Sequence, residues 1–179
     1  MSSIEIQMLP ADASELITEM ELITKIVNRV YAASESGLWL EGTVRTTVEE
    51  IATFTRSREM AVARSMGQTI GCVRVIQVDS EVGEFGMLAV DDAYQGKGIG
   101  RALIQFAEEK CKQENLRKMQ LELLVPEDGS HPDKKILEEW YMRIGYHPVY
   151  TDTVAALFPH LVDQLAIPCK FIVFQKDLK

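Results

Sequence analysis

Residues 84–103 read EFGMLAVDDAYQGKGIGRAL. Segment 84–90 (EFGMLAV) has the apolar content of a strand that crosses a sheet. The loop 91–100 follows, with Gly96, Gly98 and Gly100 at alternate positions. From there Ile99, Ala102, Leu103, Phe106, Ala107 and Cys111 recur at helical spacing, and Arg101, Gln105, Glu108, Glu109 and Lys112 make the opposite, polar face. Glycines let a backbone curl until successive N–H groups converge on one point. A helix N-terminus adds unpaired N–H groups and the positive end of its dipole. Strand, glycine loop and helix in immediate succession therefore predict a cradle for a phosphate or pyrophosphate. Gly96 and Gly98 open the dinucleotide pattern GxGxxG, but its third glycine falls at Arg101, and no βαβ unit opens the chain. The P-loop pattern GxxxxGK[ST] has no match.

Working outward, 3–8 (SIEIQM) alternates as a first strand and Pro10 ends it. Leu16, Met20, Ile23, Val27 and Val30 predict a helix over 11–32, broken at Gly37. Thr46 or Thr47, followed by Glu49 or Glu50, is the capping signal of a second helix. Segments 59–65 and 69–78 read as strands joined at Met66-Gly67-Gln68, and Asp79 and Ser80 make the next turn. Beyond the central motif come a buried strand at 119–125, a polar loop at 126–132, and a helix at 133–144 stopped by Gly145. A short strand at 146–151, a segment at 154–167 interrupted by Pro159, and a closing strand at 169–176 complete the chain. The order β-α-α-β-β-β-α-β-α-β-β predicts a mixed α/β sheet, antiparallel at first, with a βαβ crossover in its second half.

The 179 residues suit one domain, 1–179, able to bury a core without a disulfide or metal staple. Nineteen basic residues against 27 acidic ones give a net charge of −8, a poor basis for nucleic-acid or anionic-membrane binding. No apolar run approaches the ~20 residues of a membrane helix. The N-terminus lacks the basic head and apolar run of a secretory signal. Cys72, Cys111 and Cys169 lie far apart, and His131, His147 and His160 do not cluster with them. They read as reduced thiols of a cytoplasmic protein with no metal site.

Segment 95–100 (QGKGIG) resembles the acyl-CoA loop of the GNAT acetyltransferases, [Q/R]xxGx[G/A]. Trp140-Tyr141-Met142-Arg143-Ile144-Gly145-Tyr146 resembles the later segment of that family, (L/F)Yxx(L/I)G(F/Y), with Trp at the first position. The element order matches as well, so the likeness runs from about residue 4 to 176. It implies a mixed, mostly antiparallel sheet of six to seven strands, splayed at an acyl-CoA wedge and flanked by about four helices. The pantetheine arm would pair with backbone at Leu88, Ala89 and Val90. The pyrophosphate would rest on the loop from Gln95 through Gly96, Lys97, Gly98 and Gly100 to Arg101.

The resemblance implies acetyl transfer from acetyl-CoA to a primary amine of a small molecule or peptide, by direct attack on the thioester. An alkylamine with pKa near ~10.4 is almost wholly protonated at neutral pH, so a base is required, and the leaving thiolate needs a proton. Tyr141 stands where the family carries its acid, and Glu84 where several members carry the base. Glu81 is a fallback, and Glu122 on the neighbouring strand could face the same wedge. Asp133, Lys134 and Lys135 replace the family's Asn near the start of the tyrosine-bearing helix. Trp39, Arg45, Tyr31 and Phe158 are unranked candidates for the acceptor pocket. Segment 154–167 could wall that pocket, join a homodimer contact, or simply pack. The rival reading is a catalytically silent acyl-CoA-binding sensor or interaction module.

Overall fold

The computed structural model describes residues 3–179. Strand β1 (Ile4–Met8) leads through a 3-10 turn (Ala11–Glu15) to helix α1 (Ile17–Ser34) and helix α2 (Val48–Arg56). A meander follows: β2 (Met60–Ser65), β3 (Gln68–Gln77) and β4 (Val82–Val90). After a 3-10 turn (Asp92–Tyr94) come α3 (Ile99–Gln113), β5 (Lys118–Pro126), α4 (Pro132–Arg143) and β6 (His147–Thr153). The one-turn helix α5 (Val154–Leu157), a 3-10 turn (Pro159–Gln164) and β7 (Cys169–Asp177) close the chain. The seven strands form one sheet in the order β1-β2-β3-β4-β5-β7-β6. Every neighbouring pair is antiparallel except β4 and β5, which α3 connects in parallel. The mixed sheet expected from the element order is present.

Local chemistry explains most boundaries. Met66 and Gly67 carry φ of 51° and 78°, the left-handed pair that a two-residue hairpin needs. Thr47 is the cap of α2, its hydroxyl accepting from Glu50 N at 3.2 Å, while the Glu50 carboxylate accepts from the Thr46 hydroxyl at 3.2 Å. The helix expected over 11–32 divides instead. Residues 11–15 make a tight 3-10 turn after Pro10, and α1 begins only at Ile17. Met20, Ile23 and Val27 keep their places in the core, but Leu16 is 57% exposed at the join. Ala13 reaches the same core as Met20 from the 3-10 turn rather than from α1.

Two cores sandwich the sheet. On one face α3 and α4 cover β1 to β5 and β7 through Leu103, Ala107, Tyr141, Ile144, Tyr146 and Phe174. On the other, α1 and α2 cover β2, β3 and β4 through Met20, Ile23, Val27 and Ile51. A third cluster, Leu38, Leu124, Val154, Cys169 and Phe171, seals the α1 side of β5 and β7 beneath segment 154–165. Several buried polar groups are paired, whereas His131 Nδ1 has no partner among the described residues. The Tyr146 hydroxyl donates to Glu108 Oε1 at 2.7 Å, and Lys176 Nζ reaches the same carboxylate at 3.0 and 3.1 Å.

Where β4 and β5 do pair, α3 lies so close that only glycine fits on β4. A Cβ at Gly83 would stand 2.5 Å from Cys111 Sγ and 3.3 Å from Leu116 Cδ1. Gly83→Val is expected to destabilise the protein by ~1–3 kcal/mol in denaturant unfolding. Adding Cys111→Ala should recover part of that loss, because it removes the nearest obstructing atom.

Candidate active site

Strands β4 and β5 pair over three positions only, Val82↔Lys118, Gly83↔Met119 and Glu84↔Gln120. Beyond that point β4 stays with β3 and β5 stays with β7, so the two strands part. A bulge in β4 drives the parting. The β3 register jumps from Arg74↔Gly86 to Cys72↔Ala89, one extra residue on β4, and Met87 takes φ of 49°. The inserted residue also reverses the alternation of side chains. Phe85 enters the α3–α4 core, whereas Met87 and Ala89 enter the α1–α2 core. The Met87 carbonyl, rotated off the ladder, accepts from Cys72 Sγ at 3.5 Å.

Ladder parity sorts the backbone groups at the mouth of this gap. Asp91 N donates to Ile70 O in β3 at 2.8 Å. Successive residues of a strand face opposite ways, so the amide and carbonyl of Val90 turn toward the gap and those of Ala89 toward β3. The Val90 carbonyl accepts from Gln95 Nε2 at 3.2 Å, and the same amide reaches Asp92 Oδ1 at 3.2 Å. Gln95 thus staples the loop onto the end of β4. Asp91 caps the turn by accepting from Ala93 N at 3.0 Å. Gly96 and Gly98 hold φ of 73° and 79°, and a Cβ added at either would meet nothing within 4 Å. The need there is conformational, and it leaves open space in front of the amides. Among the described residues the amides of 96–101 bond to no backbone carbonyl; the first such bond of α3 is Ala102 N to Gly98 O. Lys97 Nζ donates to Ala93 O at 3.3 Å and lies 5.0 Å from the Tyr94 ring centre. Its charge is held at the loop's edge. Arg101 is exposed on the first turn of α3.

Helix α4 brings Trp140 and Tyr141 to the other wall. The Trp140 ring stands 3.7 Å from where a Gly100 Cβ would be, at the loop's end. Tyr141 is 7% exposed, stacked among Phe85, Trp140, Tyr146 and Phe174. Among the described residues its hydroxyl has no hydrogen-bond partner. Burial, with the Tyr31 hydroxyl as a smaller cause, holds that phenol protonated well above its usual range. Tyr31 belongs to α1, on the opposite face of the sheet. Its own pKa is pushed up to about 12 by burial, against the lowering effects of Arg45 and the Leu88 amide.

Glu84 and Glu122 lie on the α1 side, one on each parting strand. The Gln120 amide donates to Glu84 Oε2 at 2.7 Å, and Gln175 Nε2 donates to Gln120 Oε1 at 3.0 Å. Burial raises the Glu84 pKa, while Gln120 and Arg74 oppose the shift. Burial and the neighbouring Glu84 charge push the Glu122 pKa up to about 7. Arg74 is itself engaged by Glu59 at 2.7 Å and lies over the Phe54 ring. Glu81 does not join the group, because it sits in the β3–β4 turn and pairs with Arg117 at 3.6 Å. Sequence reading missed Gln120 and Gln175 and mentioned Glu122 only in passing. The two-residue period of a strand puts Gln120 and Glu122 on one face, but the β5–β7 register that adds Gln175 is not readable from sequence.

The rim is tied down on the same side. Lys134, the replacement noted near the start of α4, turns inward to Glu35 at the C-terminal end of α1. Their Nζ and Oε2 are 2.7 Å apart, with both side chains 5% exposed. Trp39 Nε1 donates to the other Glu35 oxygen at 3.2 Å, and His131 Nε2 lies 2.8 Å from Ser36 O. Segment 38–40 is stitched to 164–166: Trp39 bridges Leu165, Leu40 N donates to Gln164 O and Ala166 N to Leu38 O, both at 2.9 Å. A concavity of about 420 Å³, lined by Val154, Leu165 and Cys169 among others, opens on the β6–β7 side of β5, away from the carboxylates. Phe158 packs on Phe171 in the third core and lines no part of the gap.

Residues 24–132, more than half of the chain, match the acetyltransferase (GNAT) family. The chain belongs to that family. The matched stretch holds the whole wedge and loop and ends at the first residue of the tyrosine-bearing helix. An uncharacterised N-acetyltransferase of Chlorobaculum tepidum is 31% identical over 83 residues, 46% of this chain and 50% of the relative, so the likeness spans about half that protein's length. Among solved structures, the PaiA N-acetyltransferase of Thermoplasma acidophilum in complex with coenzyme A superposes with a TM-score of 0.70. It is 18% identical, covering 98% of this chain and 99% of its own. A putative acetyltransferase of Salmonella typhimurium with its cofactor acetyl-CoA gives 0.67 at 15% identity, over 99% and 95%. These likenesses establish the GNAT fold. Among the described residues no group of three or more metal-binding side chains occurs, and no helix is long and apolar enough to cross a membrane.

The Lys134–Glu35 pair fixes α4 relative to α1. Lys134→Met strands a buried carboxylate and is expected to cost ~3–5 kcal/mol in denaturant unfolding, whereas the double substitution with Glu35→Gln should restore most of it.

Proposed function

We propose that this chain, over 1–179, is an acetyl-CoA-dependent N-acetyltransferase acting on a primary amine of a small molecule or peptide. The observation that carries the reading is the parting of β4 from β5 directly beside a loop whose amides at 96–101 are free to donate. The gap offers the pantetheine arm the backbone of Leu88 and Val90, with Ala89 between them facing β3. The loop Gln95-Gly96-Lys97-Gly98 and the α3 start, Gly100 and Arg101, suit the pyrophosphate. Coenzyme A would enter along α3 and α4. The acceptor would approach from the α1 side, where the carboxylates lie.

Each step has a residue of suitable chemistry. The acceptor arrives as an ammonium ion and loses one proton to the Glu84–Glu122 pair. Its nitrogen then attacks the thioester carbon and the C–N bond forms. The carbonyl π pair moves to oxygen, near the Leu88 amide. Collapse re-forms the carbonyl and breaks the C–S bond. Tyr141 donates to the departing sulfur and recovers a proton from the cationic nitrogen. The products are the acetamide, coenzyme A as its thiol, and one proton left on the carboxylates for solvent. A phenol held above ~10 is a weaker acid than a thiol near ~8.5, so full transfer from Tyr141 alone runs uphill by at least ~2 kcal/mol. Drawing its replacement from the nitrogen removes that cost.

Calorimetry with coenzyme A should show binding, and Gly98→Val, which forbids the positive φ, should weaken it at least ~10-fold. With acetyl-CoA and a panel of primary amines, free thiol should accumulate, and Tyr141→Phe should slow it by ~10²–10⁴ while leaving coenzyme A affinity intact. Tight coenzyme A binding without thiol release from any amine would favour a silent acyl-CoA-binding module. No binding at all would overturn the reading.

A further inference from the structure

The two carboxylates on the parting strands have unequal surroundings, and a chain of side-chain amides explains the inequality. Gln175 Nε2 on β7 donates to Gln120 Oε1 on β5 at 3.0 Å. With its oxygen occupied, Gln120 must present its NH₂ on the other side, and there it meets Glu84 Oε2 at 2.7 Å. Gln120 is 7% exposed, so this amide cannot readily trade its partners for water. A short bond from an amide donor rewards the ionised carboxylate over the protonated one. Arg74 adds a cation on the β3 side of Glu84. Glu122 has neither aid: among the described residues it accepts no hydrogen bond and pairs with no cation.

We propose that Gln120, oriented by Gln175, is a positioning residue that keeps Glu84 as the standing anion of the pair and leaves Glu122 to exchange a proton with the acceptor. The proposal rests on the N-acetyltransferase reading for the acceptor's part and on geometry alone for the order of ionisation. Two half-buried like charges on adjacent strands resist being present together, so the group with the donor ionises first and the other ionises against its field. Glu84 then holds the incoming ammonium ion by charge, and Glu122 takes the proton, which suits a base that must load and unload near neutral pH. The acceptor is accordingly a cationic amine, not a neutral aryl amine, because among the described residues the one cation acting on Glu84 is Arg74, which Glu59 already engages.

Other groups that face the pair do not reverse the order. Arg74 on β3 sits with Glu59 and favours Glu84. Tyr31 on α1 stays protonated up to about 12. On β6, His147 stands opposite Gln175 and Tyr150 opposite Val173, one strand further from Glu122 than the amide chain.

The test uses the whole chain, labelled with ¹³C at the glutamate carboxyl carbons and titrated from pH 4 to 9 without ligand. Glu84→Gln and Glu122→Gln assign the two resonances. In the unsubstituted protein Glu84 should titrate first and Glu122 near pH 7. In Gln120→Met, close in size but without a donor, the Glu84 midpoint should rise and that of Glu122 fall, converging by about one pH unit. A purely structural Gln120 would move neither. Gln175→Met, which frees the Gln120 amide to turn, should give a smaller convergence and supplies the comparison if Gln120→Met does not fold. Glu122 titrating before Glu84, or midpoints unmoved by loss of the amide chain, would overturn the proposal. With acetyl-CoA and a cationic alkylamine, the acidic limb of kcat/KM should follow the Glu122 midpoint and shift to lower pH in Glu84→Gln. The intended titration order without thiol release would refute the transfer reading while the order of ionisation stood.

Discussion

The structure depends on one broken ladder. A parallel pair inside a seven-stranded sheet normally continues until a strand ends, because each buried N–H or C=O left unpaired costs ~1–3 kcal/mol. Here β4 and β5 abandon each other after Glu84↔Gln120 with several residues of strand still to run. The bulge at Met87 makes this tolerable by committing the rest of β4 to β3 and rotating its side chains into a different core. The tight seat of Gly83 under Cys111 fixes where the pairing must begin, and the bulge fixes where it must stop. Beyond those points β4 is committed to β3 and β5 to β7, so the strands stay apart.

The sheet consequently divides the chemistry. The glycine loop, Trp140 and Tyr141 belong to the α3–α4 face, whereas Glu84, Glu122, Tyr31 and the tied rim belong to the α1 face. A thioester lying in the gap would present its sulfur to one face and its carbonyl carbon to the other. In the proposed reaction, Tyr141 and the carboxylates then stand on opposite sides of the reacting carbon and cannot exchange a proton directly. The raised pKa values on both sides have the same main cause, loss of water around groups packed beside the gap.

Much of this was legible before any coordinates. The strand segments 59–65, 69–78 and 84–90 with their turns, the glycines that follow, and the helical stripe from Ile99 to Cys111 are local signals, and each of these elements formed within a residue or two of its expected place. The loop residues were legible because the chemistry is in the backbone, which needs glycine at 96 and 98 and a stapling amide at Gln95. What escaped depends on register. That Met87 is a bulge is written in no composition or period, since 84–90 reads as a continuous apolar strand through it. The Gln175–Gln120–Glu84 line joins β7, β5 and β4, three strands whose alignment is set by long connections. The inward turn of Lys134 was equally hidden, because a Lys in a polar first turn reads as solvated surface until Glu35 is seen beneath it. The break at Leu16 was missed because the stripe ran unbroken while the backbone did not.

The stitching of 38–40 to 164–166 bears on how the cover of the α1 side can vary. The two segments come from opposite ends of the chain, yet backbone bonds on either side of the Trp39–Leu165 bridge make them one ribbon over the α1 side. An insertion in either strip would pull the other out of line, so drift in one is checked by its counterpart. Change in that cover would then come through paired exchange of both strips, while the glycine loop, anchored on separate strands, stays as it is.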